Sequence, residues 1–263
     1  MKLNIPEFSL KDTLNCGQCF RWEELPDGSF RGIVGGRSIS VRQLGDDVLL
    51  DGIDESETAF WRNYFDLDTD YCSLRSLFSK DPTLKLACEK AGGIRLLQQD
   101  PWETLCSFII SQNNNIPRIK MIIGRLCEQF GEPVGNGFAF PTPQTLAECS
   151  VEDLAPLKAG FRAKYILDAA RKIASGELDL GLLSEMPLEE ARQQLMSIYG
   201  VGPKVAECAL LYGFHRLDAF PVDTWIKKAL ARYYPDGFPD FAQPKGVAQQ
   251  FLFHYIRLED HAV

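Results

Sequence analysis

From residue 100 onward, the sequence has the apolar spacing of amphipathic helices, and glycine or proline interrupts each run. Asp100 and Pro101 form a strong helix start, because aspartate is a favoured N-cap and proline fits the first helical position. The pattern predicts helices over residues 100–112, 116–130, 143–149, 151–157, 161–175, 187–198, 203–213, 222–233 and 241–257. This part of the chain is therefore predicted to be a helical domain.

Residues 1–95 have a different texture. Polar and apolar side chains alternate from Ser38 to Arg42, and glycine and aspartate pairs stand on either side of this run. Such a pattern is typical of short antiparallel strands joined by turns. Helical patterns follow over residues 55–65 and 74–90. The predicted fold class is α+β, with a small sheet-containing domain over residues 1–95 packed on a larger helical domain over residues 96–263. We expect the closing helix to pack near the first domain.

Charge limits the class of function. The chain carries 28 basic and 36 acidic side chains, a formal charge of −8, which argues against a protein that coats nucleic acid nonspecifically. Locally the balance differs, because residues 110–173 hold eight basic and six acidic side chains and residues 195–232 hold five and three. The chain lacks an apolar leader and a membrane-length apolar run, so we expect a cytoplasmic protein, in the bacterial cytosol or nucleoid.

Cys16 and Cys19 form the one CxxC motif of the sequence. A structural zinc site needs two further ligands at similar spacing, and the three histidines are scattered near the C-terminal end. Other cysteines fall inside apolar helical patterns, where a thiol behaves as a small hydrophobic group. The sequence therefore predicts free thiols, no metal site and no cofactor.

The most distinctive local pattern spans residues 195–206. A predicted helix leads into Gly200, Val201 and Gly202, and a new helix begins at Pro203. Glycine permits a tight turn with outward-facing amides, and a helix N-terminus carries unsatisfied N–H groups at its positive end. The turn is therefore either an anion site suited to a phosphodiester or an ordinary helical hairpin in which glycine serves packing.

Two charged residues near this turn have a possible chemical role. Lys204 lies in the first turn of the second helix, where the dipole disfavours a positive charge. A neutral lysine there is a nucleophile that forms Schiff bases, whereas a charged one simply contacts phosphate. Asp223 begins a later helix, either as a plain N-cap or as a functional anion. Lys204 and Asp223 together indicate a chemical role more specifically than either residue does alone.

The stretch from Gly200 to Trp225 resembles the helix-hairpin-helix DNA glycosylase superfamily, in which a glycine- and proline-rich loop and an aspartate follow the hairpin. Within that superfamily the chain is most similar to the 8-oxoguanine DNA glycosylases of the eukaryotic and related bacterial type. The resemblance covers nearly the whole chain and includes the segments NCGQCFRW, SQNNNIPRI, AGFRAKYI and GVAQQFLF.

This resemblance implies a bifunctional glycosylase and abasic-site lyase that flips out and excises 8-oxoguanine opposite cytosine. Lys204 matches the lysine that attacks C1′ and leaves a Schiff base, from which β-elimination nicks the strand. Asp223 matches the aspartate that stabilises the developing positive charge or helps the lysine lose a proton. The implied partner is double-stranded DNA containing oxidised guanine, bound by a monomer with no membrane association.

Further matches concern the base pocket and the DNA. Gly17 matches the glycine whose carbonyl accepts the N7–H of 8-oxoguanine, Cys208 and Phe253 match the residues that sandwich the flipped base, and Gln249 matches the glutamine that reads its Watson–Crick edge. The DNA-binding matches, which include a plug asparagine, two cytosine-binding arginines and an aromatic wedge, are Asn113, Arg118, Phe161, Arg162, Gly200, Gly202, Val205 and Trp225.

The chain departs from its relatives in two respects. Trp225 stands where eukaryotic members carry a histidine near the DNA backbone, and an indole has one donor and no cationic form. No cysteine follows Cys208, which excludes the four-cysteine iron–sulfur cluster of other superfamily branches. Two alternative functions stay open, a related glycosylase for another lesion such as an alkylated purine and a noncatalytic hairpin module that binds DNA backbone. Lys204 together with Asp223 argues against the noncatalytic module.

Overall fold

The computed structural model describes residues 1–261. Its N-terminal part contains a five-stranded antiparallel sheet, which confirms the predicted strands. The strands are β1 (Lys2–Asn4), β2 (Trp22–Glu24), β3 (Phe30–Val34), β4 (Arg37–Leu44) and β5 (Asp47–Asp51), and their order across the sheet is β1-β5-β4-β3-β2. Trp22 of β2 lies opposite Gly32 of β3, where an added Cβ would come within 2.6 Å of the indole.

One face of this sheet packs on α1 (Leu10–Asn15) and α2 (Thr58–Tyr64). The alternation predicted for β4 is observed, with Ile39 and Val41 buried on one side. Trp61 of α2 is fully buried in the same cluster. These contacts form a small core that joins the sheet to α1 and α2.

The other regular elements are helices, except for a short hairpin formed by β6 (Pro133–Val134) and β7 (Gly137–Phe138). Two of the helices are single 3-10 turns, over residues 55–57 and 155–157. The helices are α3 (Tyr71–Phe78), α4 (Pro82–Ala91), α5 (Pro101–Ser111), α6 (Ile116–Phe130), α7 (Pro143–Ala147), α8 (Arg162–Ala174), α9 (Leu180–Leu183), α10 (Leu188–Met196), α11 (Pro203–Tyr212), α12 (Thr224–Tyr233) and α13 (Lys245–His261).

Most predicted helix starts match the structure because caps and prolines fix them. The Asp100 carboxylate accepts the Glu103 N–H at 2.8 Å, and Asn115 caps α6 in the same way at 3.0 Å. Two predictions were wrong in detail. The helix predicted over 74–90 is split, since Asp81 and Pro82 begin a new helix. The helix predicted over 151–157 forms only one 3-10 turn.

A second and larger core joins the helices α3–α13. The C-terminal helix α13 packs against α4, and Phe251 of α13 also meets Phe78 of α3 with ring centroids 6.2 Å apart. The last helix thus lies beside the N-terminal part of the chain, and its Arg257 contacts Cys16 in the loop after α1. In residues 1–261, no helix has the length and apolar character needed to span a membrane.

Candidate active site

The turn between α10 and α11 is a tight helical hairpin. Gly200 has a φ of +78°, and a Cβ there would lie 2.4 Å from the ring of Tyr165, so close packing requires glycine. Nothing would lie within 4 Å of a Cβ at Gly202, which caps α11 in an extended conformation. The hairpin is held from outside by Asp168, whose carboxylate accepts the Tyr199 N–H at 2.7 Å. The result is an open, fixed helix N-terminus suited to an anion.

A cavity of about 810 Å³ opens beside this hairpin. Its wall is formed by the loop after α1, the turn between α5 and α6, helix α11, the loop before α12 and helix α13. Eight of the predicted site residues line it: Gly17, Asn113, Lys204, Cys208, Asp223, Trp225, Gln249 and Phe253. The fold thus brings together residues that are up to 236 positions apart in sequence.

Lys204 lies at the start of α11, on the cavity wall. Its Nζ donates to the Ser111 hydroxyl at 3.1 Å and lies 5.0 Å from the centre of the Phe108 ring. Both partners belong to α5, so the helix before the asparagine turn orients the amine. Neither Ser111 nor Phe108 is negatively charged, so these two contacts orient the amine without forming an ion pair.

Asp223 is the N-cap of α12, where one carboxylate oxygen accepts the Ile226 N–H at 2.8 Å. Cys208 is buried one turn after Lys204, and burial raises the pKa of its thiol to about 11. At neutral pH the thiol is therefore uncharged and presents an apolar surface to the cavity.

A buried carboxylate, which the sequence analysis missed, supports the loop before Asp223. Glu207 of α11 is 6% exposed, and one of its oxygens pairs with Arg192 of α10. The other accepts the Phe220 N–H at 2.6 Å. Glu207 thus ties both hairpin helices to the Phe220–Asp223 loop. The only sequence signal is an acidic residue between apolar neighbours in α11.

Gln249 is 2% exposed and reaches the same loop from α13. Its amide nitrogen donates to the Pro221 carbonyl at 3.0 Å, while its buried Oε1 has no hydrogen-bond partner. A buried acceptor without a partner is costly, and here it lies in the wall of an open cavity. The unpartnered Oε1 makes Gln249 a candidate acceptor for a donor on a bound molecule.

Gly17 adopts a φ of +88° in the loop after α1, a conformation that favours glycine. The neighbouring Gln18, which sequence reasoning also missed, is 1% exposed and anchors this loop. Its amide nitrogen donates to the Thr13 and Arg95 carbonyls at 2.9 and 2.8 Å, and its oxygen accepts the Leu97 N–H at 2.9 Å. The Gly17 backbone is therefore held rigidly at the cavity.

Phe253 lies on α13, and Arg257 lies one turn further along the same helix. The Arg257 guanidinium is 5.4 Å from the centre of the Phe253 ring, and its Nη1 donates to the Cys16 carbonyl at 3.4 Å. Arg257 also lines the cavity, although the sequence analysis did not select it. The helical spacing from Gln249 through Phe253 was the signal that could have found it.

Asn113, which lines the cavity, stands in the turn between α5 and α6, where it is exposed and has a φ of +48°. The structure places three other predicted DNA-contact residues, Arg118, Phe161 and Arg162, outside the cavity. Arg118 is exposed in the first turn of α6, and Phe161 is 49% exposed before α8. Arg162 is only 3% exposed, and its guanidinium donates to the Gln112, Asn113 and Ala159 carbonyls. Hence Arg162 supports the asparagine turn from beneath.

The hairpin contains three further residues that were predicted to contact DNA: Gly200, Gly202 and Val205. Gly200 and Gly202 are half-buried in the turn, while Val205 is 2% exposed and packs in the core behind it. All eight cysteines are free thiols, and Cys16 and Cys19 are both buried. Among the described residues, no cluster of histidine, cysteine and acidic side chains could hold a metal ion.

Known proteins match both parts of the chain. A Saccharomyces cerevisiae N-glycosylase/DNA lyase is 34% identical over 89% of this chain and 70% of its own length. A Bacillus subtilis DNA-3-methyladenine glycosylase is 29% identical over 73% of the chain and 65% of its own length. The Clostridium acetobutylicum 8-oxoguanine glycosylase/lyase, solved with double-stranded DNA containing cytosine opposite 8-oxoguanine, is 40% identical. It superposes with a TM-score of 0.92, covering 98% of this chain and 94% of that one.

The family matches divide the chain in two. Residues 1–105 match the N-terminal domain of 8-oxoguanine DNA glycosylases, and residues 106–251 match the HhH-GPD superfamily of base excision DNA repair proteins. The second match includes the hairpin, Lys204 and Asp223. The chain therefore belongs to the HhH-GPD superfamily of base excision DNA repair proteins and carries the N-terminal domain of its 8-oxoguanine DNA glycosylases.

Proposed function

We propose that this protein is a bifunctional DNA glycosylase and abasic-site lyase that removes 8-oxoguanine paired with cytosine. The observation that carries the proposal is the single cavity in which Lys204, Asp223, Gln249 and Gly17 meet beside an open hairpin. The relatives named as N-glycosylase/DNA lyase and the Clostridium glycosylase bound to lesion DNA support the same activity. The reaction is the first step of base excision repair.

The cavity suits a flipped purine. Cys208 and Phe253 supply apolar surfaces for the two faces of the base, and aromatic stacking favours a flat ring. The unpartnered Gln249 Oε1 offers an acceptor to the N1–H and N2–H donors of guanine. The Gly17 carbonyl offers an acceptor to N7–H, which 8-oxoguanine has and guanine lacks. With guanine this carbonyl would face the N7 lone pair, which opposes binding.

The chemistry proceeds at C1′ of the flipped nucleotide. After it loses a proton, the Lys204 amine forms a bond to C1′ as the C1′–N9 bond breaks, and the electron pair leaves with the base. Asp223 stabilises the positive charge that develops on the sugar. Loss of a proton from the amine and opening of the sugar ring give a Schiff base. Removal of a C2′ proton then expels the 3′ phosphate, which nicks the strand.

The opposite strand is held by the residues around the asparagine turn. Asn113 fills the space left by the flipped base, Arg118 and Arg162 hold the unpaired cytosine, and Phe161 wedges beside it. Exposure of Asn113, Arg118 and Phe161 supports these roles. Arg162 contributes from a buried position, because its donors already fix the Gln112 and Asn113 carbonyls. We infer that it shapes the turn as well as contacting the base.

The test is an incision and trapping assay. The protein is incubated with duplexes that carry 8-oxoguanine opposite each of the four bases, a methylated purine, or undamaged guanine, with and without borohydride. We expect excision of 8-oxoguanine opposite cytosine and a trapped covalent complex. Lys204→Gln abolishes trapping, whereas Lys85→Gln, an exposed lysine on α4, leaves it unchanged.

Four results would contradict the proposal or one of its parts. Trapping that persists in Lys204→Gln would refute the nucleophile. Excision of the methylated purine in place of 8-oxoguanine would favour the alkylated-base glycosylase. Binding to DNA without excision of any base would favour the noncatalytic hairpin module. Equal excision opposite all four bases would count against the roles of Arg118 and Arg162.

The proposed substrate sets the remaining expectations. DNA with an oxidised guanine is the partner, and the proposed chemistry uses only side chains of this chain. We infer that the protein acts as a monomer in the compartment that holds the DNA, which in a bacterium is the cytosol and nucleoid. We also propose that residues 1–95 and 96–263 act as the two domains.

A further inference from the structure

Helix α13 presents three cavity-lining residues at intervals of four positions: Gln249, Phe253 and Arg257. Four residues of an α-helix advance about 6 Å along its axis, so the three side chains follow one face of the helix. Phe253 lies in the middle of this row. A base stacked on Phe253 therefore has Gln249 towards one edge and Arg257 towards the opposite edge.

Arg257 lies directly beside Gly17. A Cβ built on Gly17 would be 3.4 Å from Arg257 Nη1 and 3.6 Å from the Phe253 ring. The same nitrogen donates to the Cys16 carbonyl at 3.4 Å, a long hydrogen bond that uses one of five guanidinium donors. Among the described residues, no carboxylate lies within 4.0 Å of Arg257, unlike Arg192 and Arg21. Arg257 lines the cavity, and within the described residues its guanidinium makes no other hydrogen bond.

8-Oxoguanine differs from guanine at two neighbouring atoms, a hydrogen on N7 and an oxygen on C8. If the Gly17 carbonyl meets N7–H and Gln249 meets the Watson–Crick edge, the C8 oxygen points towards the side of the cavity where Arg257 lies. A carbonyl oxygen accepts hydrogen bonds, and a guanidinium donor strengthens them by its charge. Guanine carries only C8–H there and would leave the donors unpaired.

Resting on the function proposed above, we propose that Arg257 is a specificity-determining residue that donates a hydrogen bond to the C8 oxygen of 8-oxoguanine. Gly17 and Arg257 together then read both atoms that distinguish the lesion from guanine. The alternative is that Arg257 only fixes the Cys16–Gly17 loop and that recognition of 8-oxoguanine depends on N7–H alone. The two roles differ in which atom of the base matters.

The test uses a base that separates these atoms. 8-Thioguanine keeps N7–H but replaces the C8 oxygen by sulfur, a weak acceptor. Binding is measured in the Lys204→Gln background, which prevents the proposed excision, with duplexes carrying 8-oxoguanine or 8-thioguanine opposite cytosine. We expect Arg257→Met to weaken binding of the 8-oxoguanine duplex about 10- to 100-fold, and that of the 8-thioguanine duplex less than about threefold.

Controls separate a local effect from misfolding. Arg257→Gln keeps a neutral donor and should give an intermediate loss on 8-oxoguanine, while Arg42→Met removes an exposed arginine of the sheet and should change neither affinity. Melting curves establish that each variant is folded. Equal losses on both duplexes, or no loss on either, would refute the contact with oxygen.

The proposed function is checked in the same experiment. Unmodified enzyme that excises 8-oxoguanine, together with equal losses in Arg257→Met, overturns only the role of Arg257. Unmodified enzyme that neither excises the base nor forms a trapped complex overturns both proposals.

Discussion

Glu207→Gln tests how the fold positions the proposed catalytic aspartate. Glu207 is almost fully buried and accepts hydrogen bonds from two donors, the Arg192 guanidinium and the Phe220 N–H. Glutamine has nearly the same shape but only one acceptor oxygen. Whichever way its amide turns, its NH₂ group meets a donor. One contact is therefore lost, and either Arg192 or the Phe220 amide loses its acceptor.

The cost follows from burial. Breaking a fully buried ion pair costs about 3–5 kcal/mol. The Arg192 side chain is 28% exposed and also contacts Glu189, which reduces the cost of leaving its charge without Glu207. We therefore expect Glu207→Gln to lower the free energy of unfolding by about 2 kcal/mol, which lowers Tm by about 4–8 °C in a domain of this size.

The same substitution loosens the loop that leads to Asp223, three residues after Phe220. A small misplacement of a catalytic group lowers the rate steeply, so we expect single-turnover excision to slow by about 10- to 100-fold. Binding of abasic-site DNA should change little, because the outer surface of the hairpin is untouched.

Glu189→Gln is the matched control. Glu189 contacts the same arginine, but its side chain is 62% exposed. We expect Glu189→Gln to lower the free energy of unfolding by less than about 1 kcal/mol and to leave the rate of excision unchanged. Thermal melting and single-turnover kinetics are measured on both variants. A Glu207→Gln protein that is destabilised but excises at the normal rate would refute the link between Glu207 and Asp223.

Further predictions concern the cap, the pocket loop, the amine and a buried histidine. Asp223→Asn keeps a good N-cap, so stability should change by less than about 0.5 kcal/mol while excision slows about 100- to 1000-fold in single-turnover assays. Gly17→Ala forces alanine into a φ of +88°, and binding of 8-oxoguanine DNA should weaken by about tenfold in an equilibrium titration. Ser111→Ala removes the hydroxyl 3.1 Å from Lys204 Nζ and should slow borohydride trapping by less than about tenfold. Burial lowers the pKa of His254 from its ordinary value of 6.5, so stability that is present above pH 6.5 is lost as the pH falls below it; melts of His254→Gln should depend less on pH there.

The sequence predicted the helical part and the strand region because their signals are local. Asp100 and Pro101 begin α5, and the alternation from Ser38 to Arg42 forms part of β4 as expected. The hairpin at Gly200 was equally readable, since glycine is required where Tyr165 fills the space of a side chain. Errors arose where a proline or aspartate overrode an apolar pattern, as at Asp81.

The missed residues share a different property. Glu207, Gln18 and Arg257 each act on a segment distant in sequence, through a main-chain atom that carries no sequence signature. Arg162 shows the same limit, since its burial beneath the asparagine turn depends on how α8 meets the end of α5. Such contacts depend on tertiary packing, which the apolar pattern of one helix does not encode.

Charge provides a final link between fold and proposed function. The chain is acidic overall, yet three cations, Lys204, Lys227 and Arg257, and one anion, Asp223, line the cavity. Acidic side chains elsewhere repel the DNA phosphates, so undamaged DNA gains little from the protein surface. A base bound in the cavity displaces water from it, and each charged hydrogen bond there then counts for more than it does in bulk water. We therefore expect the choice between lesion and undamaged DNA to depend on whether a flipped base satisfies the cavity, which makes an extra donor such as Arg257 effective in selecting the lesion.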